Sequence, residues 1–119
     1  MPPSELSKKI TVENRAIGSD QRPLLIAEVS ANHDKDLDHA LALVDVAADA
    51  GWDYLKLQTY NADTLSMRSN HPSMKIDPIW CTDNLYNLYV NACMPMEFHA
   101  PLFSKARDRG LMPFTSIYD

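Results

Sequence analysis

The chain has 119 residues, of which 45% are hydrophobic and 23% are charged, and its net charge is −5. These values are typical of one small globular domain with its own core. The acidic balance, with no block of Lys or Arg, argues against a broad nucleic-acid-binding surface, although one buried lysine can still bind an anionic substrate. The chain has no run of about 18 apolar residues, so no membrane span is predicted. The polar segment 1–9 lacks the apolar core of a secretory signal.

The first strand of the main pattern follows a polar N-terminal extension. Apolar residues in the extension alternate with polar ones up to the turn-forming residues 18–20, which indicates a short strand or hairpin. Pro23 then introduces an apolar run, 24–30, that is typical of a strand buried on both faces of a parallel sheet. We therefore divide the chain into an extension, 1–22, and a barrel-like segment, 23–119.

A helix and a second strand come next. Apolar residues at helical spacing predict a helix over 37–48, with Asp36 as its N-cap and Gly51 as its C-terminal stop. A strand is predicted over 54–59 after a short link. Strand, helix and strand in this order form a βαβ unit, whose crossover is expected to be right-handed.

The second half of the chain begins with a long polar excursion over 60–84, and long loops in compact domains are usually functional or disordered. Helices are predicted over 85–92 and 96–109, and Pro101 implies either a kink in the second helix or a helix that begins near it. A third strand is predicted over 111–116. The fold class is therefore α/β, with about the first three βα units of a (β/α)₈ TIM barrel.

A complete barrel needs about 250 residues, so we expect this chain to be a fragment of a longer protein. The alternative is a chain whose exposed sheet edges and helix faces are covered by other chains. The two cysteines, Cys81 and Cys93, have no companions at zinc-binding spacing. Two reduced thiols are typical of a cytoplasmic protein, which is the location we expect.

Two charges interrupt the apolar strands. Glu28 lies inside the first strand, and Lys56 lies between two leucines of the second. A buried charge needs a partner. Glu28 is satisfied by backbone amides, by a salt bridge to Lys56 across neighbouring strands, or by a ligand, and Lys56 needs either that salt bridge or an anionic ligand. Gln58 points to the same side as Lys56 by strand alternation. In a βα barrel these positions face the end of the sheet where active sites are assembled.

Further polar residues follow the strand ends. Asn32 and His33 come directly after the first strand, and Thr115 and Ser116 end the third. Small hydroxyls with free backbone N–H groups at such a turn can hold a phosphate, although Thr-Ser pairs at turns are more often plain capping residues. His33, His71 and His99 have no second ligand at metal-binding spacing.

These segments together resemble the sialic acid (nonulosonic acid) synthase family. IAEVSANH at 26–33 resembles its strand-one signature, KLQTY at 56–60 its K-x-Q-T signature, and FTSIYD at 114–119 its F-S-[ST]-P-F-D segment. The stretch LYNLY…MPMEFH within 85–99 resembles the LY-x-LY…P-W-E-W-H stretch of the pseudaminic acid synthase branch. The chain departs from the family where Asp34-Lys35 replaces an Asn-Gly turn, Ile117 replaces a proline, and Met96 and Phe98 replace tryptophans.

The resemblance implies condensation of phosphoenolpyruvate with an N-acetylated amino-sugar aldehyde, with release of phosphate. It also implies a divalent metal, Mn or Mg, that polarises the aldehyde, with ligands outside this chain. The 119 residues alone are then expected to be inactive. A homodimer is implied for the full-length protein, and neither a nucleic acid nor a membrane is an expected partner.

The resemblance also implies roles for the residues at the strand ends. Lys56 would bind phosphoenolpyruvate and offset its charge, while Ser116 and Thr115 would hold its phosphate or carboxylate. Glu28 would contact the sugar or an intermediate hydroxyl and take part in proton transfer. The sugar end would be shaped by Asn32, His33 and Gln58.

Two other functions fit the sequence. One is a sugar-acid synthase of the N-acetylneuraminate or spore-coat branch, or another phosphoenolpyruvate-using synthase. The other is a truncated, non-catalytic chain that binds a sugar or a partner through its barrel edges.

Overall fold

A computed structural model describes residues 9–118, and its centre is a three-stranded parallel sheet. The strands are β1 (Lys9–Val12), β2 (Arg15–Gly18), β3 (Ile26–Val29), β4 (Tyr54–Thr59) and β5 (Met112–Ile117). The α-helices are α1 (Leu37–Asp49), α2 (Ala62–Leu65), α3 (Leu85–Ala92) and α4 (His99–Asp108). The sheet has the order β3-β4-β5, so the predicted α/β class and the strand–helix–strand pattern are confirmed.

The N-terminal hairpin is formed by β1 and β2, which pair antiparallel with Lys9 opposite Gly18. Its reversal occurs at Glu13, which has a positive φ of 56°. Gly18 is the last residue of β2, and Ser19 and Asp20 form a turn after the hairpin. Residues 1–8 of the predicted extension lie outside the described part of the chain.

Local signals define the ends of α1 as predicted. The Asp36 side chain accepts a hydrogen bond from the backbone N–H of His39 at 3.0 Å, which satisfies one of the free donors of the first turn. Gly51 follows with φ +77°, a conformation that a residue without Cβ adopts at no steric cost. The N-cap and the stop were both predicted from the sequence, and both are confirmed.

The excursion between β4 and α3 is folded rather than structureless. It contains α2 and two 3₁₀ turns, Pro72–Met74 and Pro78–Trp80. Each turn begins at an X-Pro step that the sequence indicates. The His71 side chain accepts a hydrogen bond from the Ser73 N–H, and the Asp77 side chain accepts one from the Ile79 N–H. These short caps satisfy backbone groups that a plain loop would leave to water.

Pro101 lies in the first turn of α4, where an α-helix leaves its N–H groups without intrahelical partners. The chain reaches α4 through a 3₁₀ turn at Met96–Phe98. The predicted helix over 96–109 is thus divided into a 3₁₀ turn and an α-helix that begins two residues before the proline.

The hydrophobic core lies between one face of the sheet and the helices α1 and α4. Leu55 and Leu57 of β4 and Leu102 of α4 are fully buried there. The other face is open: Ile26 is 45% exposed and Phe114 is 37% exposed. The prediction that the first strand is buried on both faces is therefore wrong for residues 9–118, because the hairpin of β1 and β2 contacts the second face at Tyr54 but leaves Ile26 of β3 exposed. No helix within residues 9–118 is both long and apolar enough to cross a membrane.

Candidate active site

Glu28, Lys56 and Gln58 form a hydrogen-bonded cluster on the open face of the sheet. Glu28 and Lys56 are directly opposite each other in the parallel register of β3 and β4. The Lys56 ammonium donates to Glu28 Oε2 at 2.8 Å, and the Gln58 amide donates to Glu28 Oε1 at 2.5 Å. The predicted salt bridge and the shared side of Lys56 and Gln58 are both confirmed.

The alternation of β4 explains why the cluster forms. Leu55 and Leu57 fill the core on one face, so Lys56 and Gln58 must project from the other. The Glu28 carboxylate raises the pKa of Lys56, which keeps that side chain charged. The side chains of Glu28 and Lys56 remain 38% and 26% exposed, so a ligand can reach both.

Ser116 belongs to the same face as the cluster. It is directly opposite Gln58 in the register of β4 and β5, two pairs beyond Lys56 and Phe114 and therefore on the same face. Its hydroxyl has no hydrogen-bond partner within residues 9–118. The structure therefore brings Ser116 to the same surface as Glu28, Lys56 and Gln58, with its hydroxyl available to a ligand.

Asn32 lies in the turn that follows β3. Its side-chain oxygen accepts a hydrogen bond from the Ser30 N–H at 3.0 Å, which closes the turn locally. The residue is exposed. Within residues 9–118 its amide NH₂ group donates no hydrogen bond, so this group is available to a ligand.

His33 is turned into the core and does not join the cluster. It is 1% exposed and meets Phe98 edge-on, with 6.1 Å between ring centroids. Its Nδ1 accepts the Lys35 N–H at 2.9 Å. Burial lowers the pKa of His33, because the charged imidazolium is poorly solvated there. The structure thus places His33 behind the turn rather than on the open face.

The turn after His33 has a strained backbone. Asp34 and Lys35 both have positive φ values, 52° and 55°, at the positions where the sequence departs from an Asn-Gly pair. The Lys35 ammonium donates to the Val90 carbonyl at 2.6 Å, at the C-terminal end of α3. This long-range contact holds the turn in place, so the left-handed geometry is kept without glycine.

Thr115 faces the helices, on the side of the sheet opposite the cluster. Its hydroxyl lies 2.6 Å from the Thr59 hydroxyl, which in turn lies 2.7 Å from His99 Nε2. His99 Nδ1 lies 3.1 Å from the Met96 carbonyl, so Nδ1 carries the proton and Nε2 accepts from Thr59. These hydroxyls and the imidazole link β4, β5 and α4, a network that the isolated sequence pattern does not reveal.

Asp53 anchors the opposite end of the sheet, and the sequence interpretation missed it. Its buried carboxylate binds the guanidinium groups of Arg15 and Arg22 and the Leu25 N–H. The bond to Arg22 and that to Leu25 are the main causes that lower the pKa of Asp53 to about 2. The signal available in the sequence was an Asp immediately before an apolar strand. The contacts show that it joins the hairpin to the sheet.

Residues 43–119, about two thirds of the chain, match the profile of the NeuB family. The chain belongs to the NeuB family. It is 39% identical over 99 residues to a pseudaminic acid synthase of Helicobacter pylori and 37% identical over 101 residues to one of Campylobacter jejuni. It is also 31% identical over 108 residues to the spore coat polysaccharide biosynthesis protein SpsE of Bacillus subtilis.

These alignments cover 82%, 84% and 91% of this NeuB-family chain, which spans 29%, 29% and 28% of the three relatives. Among solved structures, the N-acetylneuraminic acid synthetase of Leptospira borgpetersenii matches 93% of this chain and 34% of its own, with a TM-score of 0.71 and 27% identity. The Bacillus subtilis SpsE structure matches 90% of this chain and 27% of its own, with a TM-score of 0.61 and 31% identity.

Proposed function

We propose that this chain is part of a nonulosonic acid synthase of the pseudaminic acid branch. The reaction is the condensation of phosphoenolpyruvate with an N-acetylated amino-sugar aldehyde. The observation that carries the proposal is the cluster of Glu28, Lys56 and Gln58 on the open face of a parallel sheet. The similarity to two pseudaminic acid synthases supports this branch.

The fold that we propose for the full protein is a (β/α)₈ barrel, of which β3, β4 and β5 are the first three strands. Parallel strands in sequential order with crossover helices on one face are the repeating unit of that architecture. The open face carries both apolar and charged side chains, as the inner surface of a barrel does. The C-terminal ends of its strands would then surround the substrates.

Lys56 and Ser116 form the phosphoenolpyruvate side of the proposed site. A lysine whose pKa is raised by Glu28 stays protonated and attracts the phosphate or carboxylate. Ser116 presents a hydroxyl donor two register pairs farther along the sheet. In the condensation, C3 of phosphoenolpyruvate bonds to the aldehyde carbon, water adds at C2, and the C–O bond to phosphate breaks. A fixed ammonium near these oxygens stabilises the charge that shifts between them.

Glu28 and Gln58 form the sugar side together with Asn32. In the free protein Glu28 accepts hydrogen bonds from both Lys56 and Gln58. A phosphoenolpyruvate anion that takes over Lys56 would release one Glu28 oxygen to bind a sugar hydroxyl or receive a proton. For His33 and Thr115 we propose supporting roles, because their side chains contact the helix-covered side.

A divalent metal is part of the reaction that we propose, and the family resemblance implies that its ligands lie outside this chain, residues 9–118 included. Within that range no three His, Cys, Asp or Glu side chains converge to hold an ion. We derive no step from the metal ligands here. A homodimer and a cytoplasmic location, suited to the free thiols of Cys81 and Cys93, complete the proposal.

The test is an assay of the full gene product for phosphate release. Phosphoenolpyruvate is offered with a 6-deoxy diacetamido hexose, with N-acetylmannosamine, or with no acceptor. The expected result is release that requires an acceptor and is faster with the diacetamido sugar. Preference for N-acetylmannosamine would replace the pseudaminic branch with the N-acetylneuraminate branch. Release with neither sugar would refute the synthase proposal.

A further inference from the structure

Three tyrosines form an aromatic wall beside the cluster of Glu28, Lys56 and Gln58. Tyr60, at the end of β4, meets Tyr89 of α3 at 5.9 Å between ring centroids and Tyr118, after β5, at 6.2 Å. Both contacts are close to perpendicular, at 80° and 89°, which is a favoured arrangement for aromatic pairs. We use the term tyrosine wall for Tyr60, Tyr89 and Tyr118.

The tyrosine wall lies on the open face of the sheet. Strand alternation gives Tyr60 the side of Lys56 and Gln58, and Tyr118 the side of Phe114 and Ser116. The ring contacts between the two strands agree with that assignment at both ends, since Tyr54 meets Phe114 and Tyr60 meets Tyr118. The Tyr118 N–H also donates to the Thr59 carbonyl at 3.1 Å, which continues the β4–β5 pairing beyond β5.

Tyr118 is the member of the wall that a ligand can reach. Tyr60 is 9% exposed because the other two rings cover it, whereas Tyr118 is 45% exposed. Within residues 9–118 the Tyr118 hydroxyl has no hydrogen-bond partner. The Tyr118 ring follows Ser116 by two residues on the face of the sheet that carries the cluster.

The order of residues along β5 separates the two substrates. Phe114 lies deepest, Ser116 follows beside Gln58, and Tyr118 comes last, at the mouth of the proposed site. If Lys56 and Ser116 hold phosphoenolpyruvate, the next position outward belongs to the other reactant. We propose, on the basis of the proposed function, that Tyr118 is a specificity-determining residue whose ring packs against the amino-sugar acceptor.

The chemistry of the ring fits such a ligand. A sugar presents C–H groups on its faces, and an N-acetyl substituent adds a methyl group, so an exposed aromatic ring buries apolar surface against either. The contact with Tyr60, whose ring in turn packs on Tyr89, holds the Tyr118 ring in one orientation before binding, which reduces the entropy lost when the sugar is bound. Tyr89 further ties this surface to α3, after the long excursion.

The experiment compares Tyr118→Ala, Tyr118→Phe and Ile117→Ala in the full gene product. KM for phosphoenolpyruvate and KM for the 6-deoxy diacetamido hexose are measured separately by phosphate release. For Tyr118→Ala we expect the sugar KM to rise about tenfold, the effect of losing roughly 1.4 kcal/mol of contact, with the phosphoenolpyruvate KM within about twofold of the parent. Tyr118→Phe keeps the ring and should restore the sugar KM to within about threefold.

Ile117→Ala is the matched control, because Ile117 is the adjacent residue and is 69% exposed. It should leave both KM values unchanged. An unchanged sugar KM in Tyr118→Ala would overturn the proposal, and so would an equal rise in both KM values. A Tyr118→Phe variant as impaired as Tyr118→Ala would also refute contact through the ring. Failure of the parent protein to release phosphate would instead refute the proposed function.

Discussion

Glu28 and Lys56 are directly opposite each other on neighbouring parallel strands, and their charged groups meet at 2.8 Å on the open face of the sheet. A partly exposed pair of this kind contributes little to stability, because water solvates both ions well. Its position beside Gln58 and Ser116 fits the site that we propose, in which the pair presents a charged lysine to an anionic substrate.

Lys56→Ala in the full gene product should raise the KM for phosphoenolpyruvate and lower kcat/KM by about 10²–10³-fold, because a fixed positive charge is lost next to the reacting oxygens. Initial rates of phosphate release at varied phosphoenolpyruvate concentration measure this effect. Lys105→Ala is the control, since Lys105 pairs with Asp45 on the surface between α1 and α4. Unchanged affinity in Lys56→Ala would remove Lys56 from the phosphoenolpyruvate site.

Thr59→Val should destabilise the protein by about 1 kcal/mol, because the isosteric side chain leaves His99 Nε2 without its donor and removes a bond to Thr115. Thr59 neighbours Gln58, and Thr115 neighbours Ser116, so kcat/KM should also fall several-fold. Thermal unfolding and initial rates are measured on the same sample. Thr11→Val, at an exposed position of β1, should alter neither quantity. A Thr59→Val variant with parental melting temperature would contradict a stabilising network.

Asp53→Asn tests the anchor between the hairpin and the sheet. The pKa of Asp53 is lowered from 3.8 to about 2 in the folded state. A lowered carboxyl pKa contributes stability that is present above the unfolded pKa and is lost as the pH falls through the folded pKa. We expect the ionised Asp53 carboxylate to contribute about 1–2 kcal/mol to the free energy of unfolding, because solvent at the half-exposed arginines screens part of the interaction.

The free energy of unfolding of the parent protein should therefore fall by this amount between pH 4 and pH 2. The free energy of unfolding of Asp53→Asn should lack this fall. Unfolding by urea at several pH values measures it. Asp108→Asn, an exposed carboxylate at the end of α4, is the control. Identical pH profiles for the parent and Asp53→Asn would show that the anchor has no energetic role.

Asp34→Val tests the left-handed turn after β3. A β-branched side chain is strongly disfavoured at φ 52°, whereas asparagine is well tolerated there. Asp34→Val should therefore lower stability by about 1–2 kcal/mol, with little change for Asp34→Asn. The two melting temperatures are compared directly. Equal values would mean that the turn relaxes to a negative φ at no cost.

Much of the fold followed from local signals. The Asp36 cap, the Gly51 stop and the two X-Pro turns are each decided by a few neighbouring atoms, so the sequence predicts them correctly. Strand alternation likewise predicted that Lys56 and Gln58 share a face. The opposite charges of Glu28 and Lys56 predicted the salt bridge between them. The motif resemblance led to the family that the comparisons confirm.

The position of His33 and Thr115 could not be read from the sequence. His33 follows the first strand motif and Thr115 lies at the end of the third. The His33 ring nevertheless packs on Phe98, and the Thr115 hydroxyl contacts the Thr59 hydroxyl on the helix-covered side. Which way a residue at a strand end turns depends on space left by elements far away in the chain. The same is true of Asp53, whose two arginine partners lie 31 and 38 residues away.

The sequence by itself determined the order of the elements, their caps and the charged residues of the open face, because these depend on local hydrogen bonds and on the two-residue period of a strand. Only the tertiary structure decided which polar groups meet, because register and helix packing bring together atoms that are distant in sequence. That is how Tyr60, Tyr89 and Tyr118 became one wall beside Lys56.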